Sequence, residues 1–211
     1  MVRQYRSNCT IYQSGGETRE LGTAFMVLGA MQQRVIGCTH LGSNDDEEKL
    51  FFTQLEREYD RCPQHDVKIV IGDLNAQVGR EEAYKPTIGS FSSHQLTNDN
   101  GLRLINFASS KHMSIRSTFF QDAPRFTYAW RSPLQTYSQI DHVLIDGRHF
   151  SNIIDVKTYR GANGDSDHFL VMVNLRQKLS VVNNQRSKPT ARLNLGRLSQ
   201  AYVAEGYAAL G

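Results

Sequence analysis

Apolar residues gather in short runs, and each run is separated from the next by a polar or glycine-containing segment. Residues 22–28 (GTAFMVL) form one such run and predict a strand. Residues 67–71 form a β-branched run broken only by Lys68, which predicts a buried central strand. Further runs typical of strands lie at 34–38, 113–119, 126–130, 140–145, 153–159 and 169–175. The chain is therefore predicted to be rich in strands.

Two segments have the spacing of helices instead. The apolar residues of segment 44–61 recur on one helical face: Phe51, Phe52, Leu55 and Tyr59. Four acidic residues at 45–48 complement the positive end of the helix dipole, which favours capping over metal binding, and Pro63 follows the end. A shorter helix is predicted at 102–110, opened by the polar turn at 98–101. We interpret both helices as packing elements.

Strands outnumber helices and their connections are short and polar, so we predict an α/β fold with much antiparallel sheet rather than a doubly wound parallel sheet. Its architecture is expected to be a two-sheet β-sandwich flanked by helices. Residues 1–177 are predicted to form this domain. Residues 178–211 are predicted to form a basic linker and a short C-terminal helix: segment 180–197 is basic and asparagine-rich with little periodicity, and the helix is predicted at 198–210.

Composition limits the classes of protein that need be considered. With 211 residues, 39% hydrophobic and 21% charged, the chain fits one soluble domain plus an extension. It has no apolar run of about 20 residues and no apolar leader, so we expect neither membrane insertion nor secretion. Three cysteines, Cys9, Cys38 and Cys62, share no metal-binding spacing. Their odd number favours a reducing compartment, intracellular and either nuclear or cytoplasmic. A net charge of +3 permits a polyanionic partner without requiring one.

Three short acidic segments stand at the ends of the predicted strands: Gly-Asp-Leu-Asn at 72–75, Ile-Asp-His-Val at 140–143 and Ser-Asp-His at 166–168. Phosphodiester hydrolysis needs an attacking water, neutralisation of the phosphate charge and help for the leaving oxygen. Asp167 suits a hard cation such as Mg²⁺. Asp73 can position the attacking water or accept its proton.

The remaining polar groups suit the phosphate side of such a site. The Asn75 amide can donate to a phosphate oxygen. The imidazole of His168 can bond the scissile phosphate or protonate the developing oxyanion. Asp141 can hold that imidazole in the required tautomer and raise its basicity. Together, the three segments predict a pocket equipped for metal-assisted phosphodiester hydrolysis.

Each segment also has a purely structural interpretation. Residues 73–75 alone are typical of an Asx turn after a strand, and residues 166–168 of a cap or turn. Asp141 is harder to explain in this way, because a buried carboxylate within an apolar strand needs a partner. His142 points to the opposite face by strand alternation and is predicted to be a packed or surface histidine. The occurrence of all three segments, each at a strand edge, favours a site.

The order of these motifs resembles that of the endonuclease/exonuclease/phosphatase superfamily, and more specifically the endonuclease domains of non-LTR retrotransposons. The resemblance spans roughly residues 10–177. Its segments are 21–23 (LGT), 66–81 (DVKIVIGDLNAQVGRE), 85–89 (KPTIG), 98–104 (NDNGLRL), 130–133 (WRSP) and 152–168. It implies two β-sheets flanked by helices, and a phosphodiester hydrolase that uses Mg²⁺ or Mn²⁺ and acts on DNA. It also implies a reverse transcriptase domain in the parent element.

The same resemblance assigns roles to individual residues. Asp73 and Asn75 match the catalytic pair, Asp167 the metal-contacting aspartate, with Asp73 also at the metal, and His168 the catalytic histidine. Asp141 matches the aspartate that orients this histidine. Trp130 and Arg131 lie where such endonucleases contact DNA, although simple packing explains the single tryptophan equally well. Asn98 is a further predicted DNA contact.

Two features depart from the pattern of these endonucleases. Their asparagine-bearing first strand and the Gln-Glu pair that supplies a principal metal ligand are not found before residue 21, where Glu17 and Glu20 lie in a polar stretch. The interval 27–44 is too short for the strands that end in their His-Ala-Pro motif. His40, in Cys-Thr-His-Leu at 38–41, is either the remaining phosphate-side catalytic histidine or an ordinary loop residue.

We therefore expect an N-terminally truncated, incomplete domain with weak or absent nuclease activity, because a hard cation depends on each of its few carboxylates. Two alternatives remain open. One is a non-catalytic, retroelement-derived remnant that binds nucleic acid or protein. The other is a small-molecule phosphatase of the same superfamily.

Overall fold

The structure is a computed structural model. It describes the backbone at 2–4, 9–15, 22–28 and 45–48, and backbone with side chains at 49–161 and 166–176. The chain divides into two units, 1–177 and 178–211, and the second lies outside the described residues, as do the predicted strand 34–38 and His40. Among the described residues, no helix has the length and apolar character needed to cross a bilayer.

The described residues form ten strands and two α-helices. Before the first helix come β1 (Val2–Gln4), β2 (Cys9–Gly15) and β3 (Gly22–Leu28). The middle of the chain contains α1 (Asp45–Arg61), β4 (Ile69–Asp73), α2 (Asp99–Ser110) and β5 (Met113–Ile115). The last strands are β6 (Trp130–Arg131), β7 (Tyr137–Ser138), β8 (Asp141–Asp146), β9 (Ile153–Tyr159) and β10 (Leu170–Leu175).

All the sheets are antiparallel. Strands β1, β2 and β3 form one sheet in sequence order, and β8 lies between β4 and β5 in a second. Strands β9 and β10 form a third pair, and β6 and β7 form a short hairpin. The predicted α/β class with much antiparallel sheet is thus confirmed.

The central sheet β4–β8–β5 has a packed layer on each face. Strand alternation along β8 turns Leu144 towards one cluster, which contains apolar residues of both helices, including Phe51 and Leu104. It turns Val143 and Ile145 towards the other cluster, which contains β9 and β10. Each such side chain contributes roughly 1.5–3 kcal/mol when fully buried. Two sheets therefore pack face to face, with α1 and α2 against the outer face of one, which agrees with the predicted sandwich flanked by helices.

Several predicted boundaries were wrong, for local reasons. The predicted strand at 113–119 stops at Ile115, because a 3₁₀ turn follows in which the Thr118 hydroxyl donates to the Ile115 carbonyl at 2.7 Å. The predicted strand at 126–130 is reduced to its last residue, since a 3₁₀ turn at Pro124–Phe126 precedes it and the partner strand is only two residues long. Strands β1 and β2 were not predicted, because their apolar residues are too few to form a run.

Candidate active site

Strand pairing alone brings the first two carboxylates together. Strands β4 and β8 are in register from Ile69 opposite Ile145 to Asp73 opposite Asp141, where the ladder ends. Directly opposed residues in an antiparallel pair have Cβ atoms about 4.5–5.5 Å apart on the same face. Two acidic side chains therefore lie side by side at one end of the central sheet, and both are half-buried.

The chain leaves β4 through a tight turn that suits its sequence. Asn75 adopts a left-handed backbone with φ 44°, which asparagine tolerates better than most residues, and its N–H donates to Asp73 Oδ1 at 3.0 Å. A side chain of α2 also holds this turn, since the Asn100 amide donates to the Asn75 carbonyl at 3.2 Å. The Asx turn expected for 73–75 is thus present, and it holds the Asp73 carboxylate.

His142 fixes the same turn from inside the protein. It is completely buried, and its Nε2 lies 2.7 Å from the Ala76 carbonyl, while its Nδ1 lies 2.8 Å from the Ser117 hydroxyl. A carbonyl only accepts, so Nε2 carries the proton and Nδ1 accepts from Ser117. Burial lowers the pKa of His142 to about 4, so the ring is neutral. This is the packed histidine that strand alternation predicted.

The third acidic segment, 166–168, pairs through its backbone with the hairpin strand β6. The Arg131 N–H donates to the Asp167 carbonyl at 2.9 Å, and the Phe169 N–H donates to the Ala129 carbonyl at 2.7 Å. Between these bonds, Trp130 and His168 form an antiparallel bridge. This backbone pairing fixes the position of the Cα atom of His168, from which the imidazole extends.

The imidazole of His168 contacts both carboxylates. Its Nδ1 lies 3.3 Å from Asp141 Oδ2, and its Nε2 lies 3.6 Å from Asp73 Oδ2. Burial alone would lower the pKa of His168, but the hydrogen bond that the ring donates to Asp141 and the charges of Asp141, Asp73 and Asp167 outweigh it, so the pKa is raised above its ordinary value. The ring therefore remains protonated at higher pH than a free histidine does.

One atom from each of Asp73, Asp141 and His168 lies within 4.8 Å of the others, and among the described residues these three form the group able to hold a metal ion. Two carboxylates offer the hard oxygens that Mg²⁺ or Mn²⁺ takes, so the donor set fits such an ion. Asp167 is outside this group, and its Oδ2 accepts from the Trp130 indole N–H at 2.7 Å. Its predicted role as metal ligand stays a prediction.

The predicted DNA contacts occupy different positions. Arg131 is exposed on β6, beside the site. Asn98 caps α2, because its Oδ1 accepts from the Gly101 N–H at 2.7 Å and from the Gln77 N–H at 3.0 Å. Its predicted DNA contact is untested.

Sequence reasoning missed two kinds of residue around the site. One is Asn100, whose amide supports the turn after β4 from the first turn of α2. The other is a set of aromatic side chains beside His168, of which only Phe169 is adjacent to a motif. Their sequence signal was weak: Tyr128 and Tyr137 flank the predicted hairpin, but nothing in their spacing points to a common surface.

Comparison with known proteins gives relatives among curated sequences and matches among solved structures. The chain is 34% identical over 141 residues to craniofacial development protein 2 of Bos taurus, and 33% identical over 141 residues to the Tragulus javanicus protein of the same name. These matches cover 66% of this chain and 24% of each relative, so the chain spans about a quarter of their length. No family model matches.

Among solved structures, the chain is similar to the endonuclease domain of TRAS1, a telomere-specific non-LTR retrotransposon. The TM-score is 0.44 at 17% identity, with 83% of this chain and 67% of that chain covered.

Proposed function

We propose, from the premise that this chain is a homologue of craniofacial development protein 2 over 141 residues, that it is a metal-dependent phosphodiester hydrolase of the endonuclease type acting on DNA. The observation that carries the proposal is the convergence of Asp73, Asp141 and His168, from three separate motifs, within 4.8 Å of one another. The order of the motifs, which resembles that of retrotransposon endonuclease domains, supports the same reaction class.

In this proposal Asp73 and Asp167 would hold Mg²⁺ or Mn²⁺, while Asp141 orients His168. When bound, the ion neutralises phosphate charge. Asp73 positions the attacking water and accepts its proton, which general-base geometry at the end of β4 allows. Asn75, exposed on the turn that follows, offers its amide to a non-bridging phosphate oxygen.

The imidazole of His168 supplies positive charge for the phosphate. Asp141 holds His168 through Nδ1, which directs the Nε2 proton towards the space beside Asp73. Because the pKa of His168 is raised, the ring keeps its proton to higher pH than a free histidine, and this proton can be donated to a phosphate oxygen as negative charge develops there. General acid–base groups of this kind typically contribute about 10²–10⁴-fold to a rate.

A non-catalytic role in nucleic-acid binding is the second candidate. The observation that favours it is that Asp167, the predicted metal ligand, lies outside the group of described residues able to hold an ion. In that case the charged groups around His168 would serve binding alone. Weak nicking is what we expect of the hydrolase with an incomplete metal site, whereas the alternative gives no nicking, and one assay addresses both.

The test is nicking of supercoiled plasmid by the full chain in Mg²⁺, in Mn²⁺ and in EDTA. Asp73→Asn removes the carboxylate charge with little change in size. Asp155→Asn is a matched control, since Asp155 lies on β9 and pairs with Lys157 away from the site. We expect nicking that requires the metal, is lost in Asp73→Asn and is retained in Asp155→Asn. Salt-sensitive DNA binding without any nicking would instead support the second candidate.

A further inference from the structure

The beginning of α2 is fastened to the segment that follows β4. The Gln77 N–H donates to Asn98 Oδ1 at 3.0 Å, and the Asn98 N–H donates to the Gln77 carbonyl at 3.0 Å. Gly101 permits this close approach, because a Cβ atom at that position would overlap the Gln77 carbonyl oxygen. These contacts set the position of the helix beside the turn at 73–75, and none of them involves the side chain of Asn100.

From the first turn of this helix, the side chain of Asn100 reaches the backbone of Asn75. Asn100 is buried, and its amide donates to the Asn75 carbonyl at 3.2 Å. On the other side of the same residue, the Asn75 N–H donates to Asp73 Oδ1 at 3.0 Å. Each of the two peptide groups that meet at the Cα atom of Asn75 therefore has a side-chain partner. Because these two planar groups define both backbone dihedral angles, they also define the direction in which the Asn75 side chain leaves the chain.

The conformation of Asn75 is one that needs such support. Its φ is 44°, in the left-handed region, where a residue with a Cβ atom is less stable and persists only when its surroundings hold it. The side chain of Asn75 is exposed, so its own burial does not supply the support. Without the Asn100 amide, the peptide group after Asn75 is free to rotate, and the Asn75 side chain loses its fixed direction.

We infer that Asn100 is a positioning residue for the proposed hydrolysis and that it acts through Asn75. This inference rests on the proposed function, because that function assigns the Asn75 amide to a non-bridging phosphate oxygen. Asn100 itself contacts neither the DNA nor the ion, and its effect is to keep the Asn75 amide in one orientation. A misplacement of about 1 Å at a reacting centre can lower a rate by about 10²-fold. The expected loss of nicking rate in Asn100→Ala is therefore up to about 10²-fold.

The first measurement of this role does not depend on activity. The NMR chemical shifts of the Asn75 Cα and Cβ atoms report its backbone conformation, and we expect a left-handed residue in the wild-type chain. In Asn100→Ala these shifts should move towards the values of a conformationally averaged residue. Asn106→Ala is the matched control, since Asn106 is an exposed asparagine of the same helix, and it should leave the shifts unchanged. Unchanged shifts in Asn100→Ala would overturn the inference.

A second variant covers the case in which Asn100→Ala does not fold. Asn100→Asp keeps the size of the side chain, and an acidic residue in the first turn of a helix is favourable. Its carboxylate cannot donate to the Asn75 carbonyl, because an ionised carboxylate only accepts. Asn100→Asp should therefore change the Asn75 shifts as Asn100→Ala does, and a left-handed Asn75 in this variant would equally contradict the inference.

The route through Asn75 is tested by a double-mutant cycle on nicking of supercoiled plasmid by the full chain. Asn75→Gly removes the side-chain amide, and glycine adopts the left-handed conformation without strain. We expect Asn100→Ala to lower the nicking rate in the wild-type background and to cause no further loss in the Asn75→Gly background, since residues that act as a unit are not additive. Equal losses in the two backgrounds would show that Asn100 acts by another route, which would overturn the inference.

Failure of the positioning role and failure of the proposed function give different results. Metal-dependent nicking that Asn100→Ala leaves unchanged would remove the positioning role and leave the hydrolase in place. Shifts of Asn75 that depend on Asn100, in a chain that never nicks DNA, would support the hold on Asn75 and remove the hydrolase.

Discussion

The candidate site joins two regions that are held in different ways. Asp73 and Asp141 belong to the central sheet, where paired strands, buried apolar side chains and the neutral ring of His142 fix their backbone. Asp167 and His168 belong to a segment attached to the hairpin strand β6 by two backbone hydrogen bonds and the indole of Trp130. The core region determines where the carboxylates lie, whereas the attached segment brings the imidazole to them.

This difference predicts what a substitution in each region will change. A substitution in the sheet is expected to alter stability together with the site, because its groups are also part of the core. A substitution in the attached segment or its hairpin is expected to alter chemistry with little change in stability. The following predictions test this division, beginning with the largest expected effect.

Asp141→Asn is expected to lower the nicking rate by about 10²–10⁴-fold, the range of a lost acid–base function. The asparagine keeps the size of the side chain but removes the charge that orients His168 and raises its pKa. A histidine NMR titration should accordingly show a lower pKa of His168 in the variant. An unchanged titration would contradict the assigned contact, whatever the rate.

The raised pKa of His168 also fixes the sign of the pH dependence. Because the folded pKa lies above the unfolded value, the contribution of His168 to stability is complete below the unfolded pKa and is lost as pH rises through the folded pKa. An acid role gives the nicking rate the same direction, falling as pH rises through that pKa. A rate that rises through this window would indicate that the neutral ring is the active form.

His142→Leu is expected to reduce the free energy of unfolding by about 2–4 kcal/mol, since the buried Ala76 carbonyl and Ser117 hydroxyl lose their partner. In the wild type, the pKa of about 4 means that the unfolded chain binds the proton more readily. Stability should therefore fall as pH drops from the ordinary histidine value towards 4. Urea unfolding at several pH values measures both effects. The part of the stability loss at low pH that His142 causes should disappear in the variant. If the full loss persists, it does not come from protonation of His142.

Trp130→Phe is expected to weaken Mn²⁺ binding by about tenfold, a typical effect of losing a hydrogen bond behind a metal ligand. Phenylalanine retains the ring packing but has no N–H for Asp167. Isothermal titration calorimetry with Mn²⁺ measures the effect, and thermal unfolding checks that stability is nearly unchanged. Tighter Mn²⁺ binding by the variant would mean that Trp130 withholds Asp167 from the ion.

Asn98→Ala is expected to cost about 1 kcal/mol of stability, because it removes the cap of α2. Asn98→Asp keeps a capping oxygen and should remain close to the wild type in stability. The pair also tests the predicted DNA contact, since the new negative charge would weaken DNA binding only if Asn98 lies against the phosphates. Equal DNA affinity of the wild type and Asn98→Asp would mean that Asn98 caps α2 and does not contact DNA.

The central parts of this arrangement were predictable from sequence because their signals are local. The run at 67–71 and the alternation around Asp141 predict two strands, and the structure places the carboxylates where those strands pair. The N-cap before α2 was visible in the turn at 98–101, although the helix begins at Asp99 rather than at Leu102.

Other features depend on contacts between residues that are far apart in sequence, and no local sequence pattern predicts such contacts. Nothing near Trp130 indicates that its indole bonds Asp167, 37 residues away in sequence. Likewise, the stacking of Tyr128, Tyr137 and Phe169 results from the pairing of the hairpin with the segment after Asp167, which the sequence does not specify.

In the proposed hydrolase, the imidazole of His168 and the carboxylate of Asp141 act as one unit, and a double-mutant cycle on Mg²⁺-dependent plasmid nicking tests this most directly. The four proteins are the wild type, Asp141→Asn, His168→Gln and the double variant. Residues that act as a unit are strongly non-additive. We therefore predict that the double variant nicks no more slowly than His168→Gln alone. Losses that multiply, or nicking by the wild type that is indifferent to both substitutions, would contradict the claim.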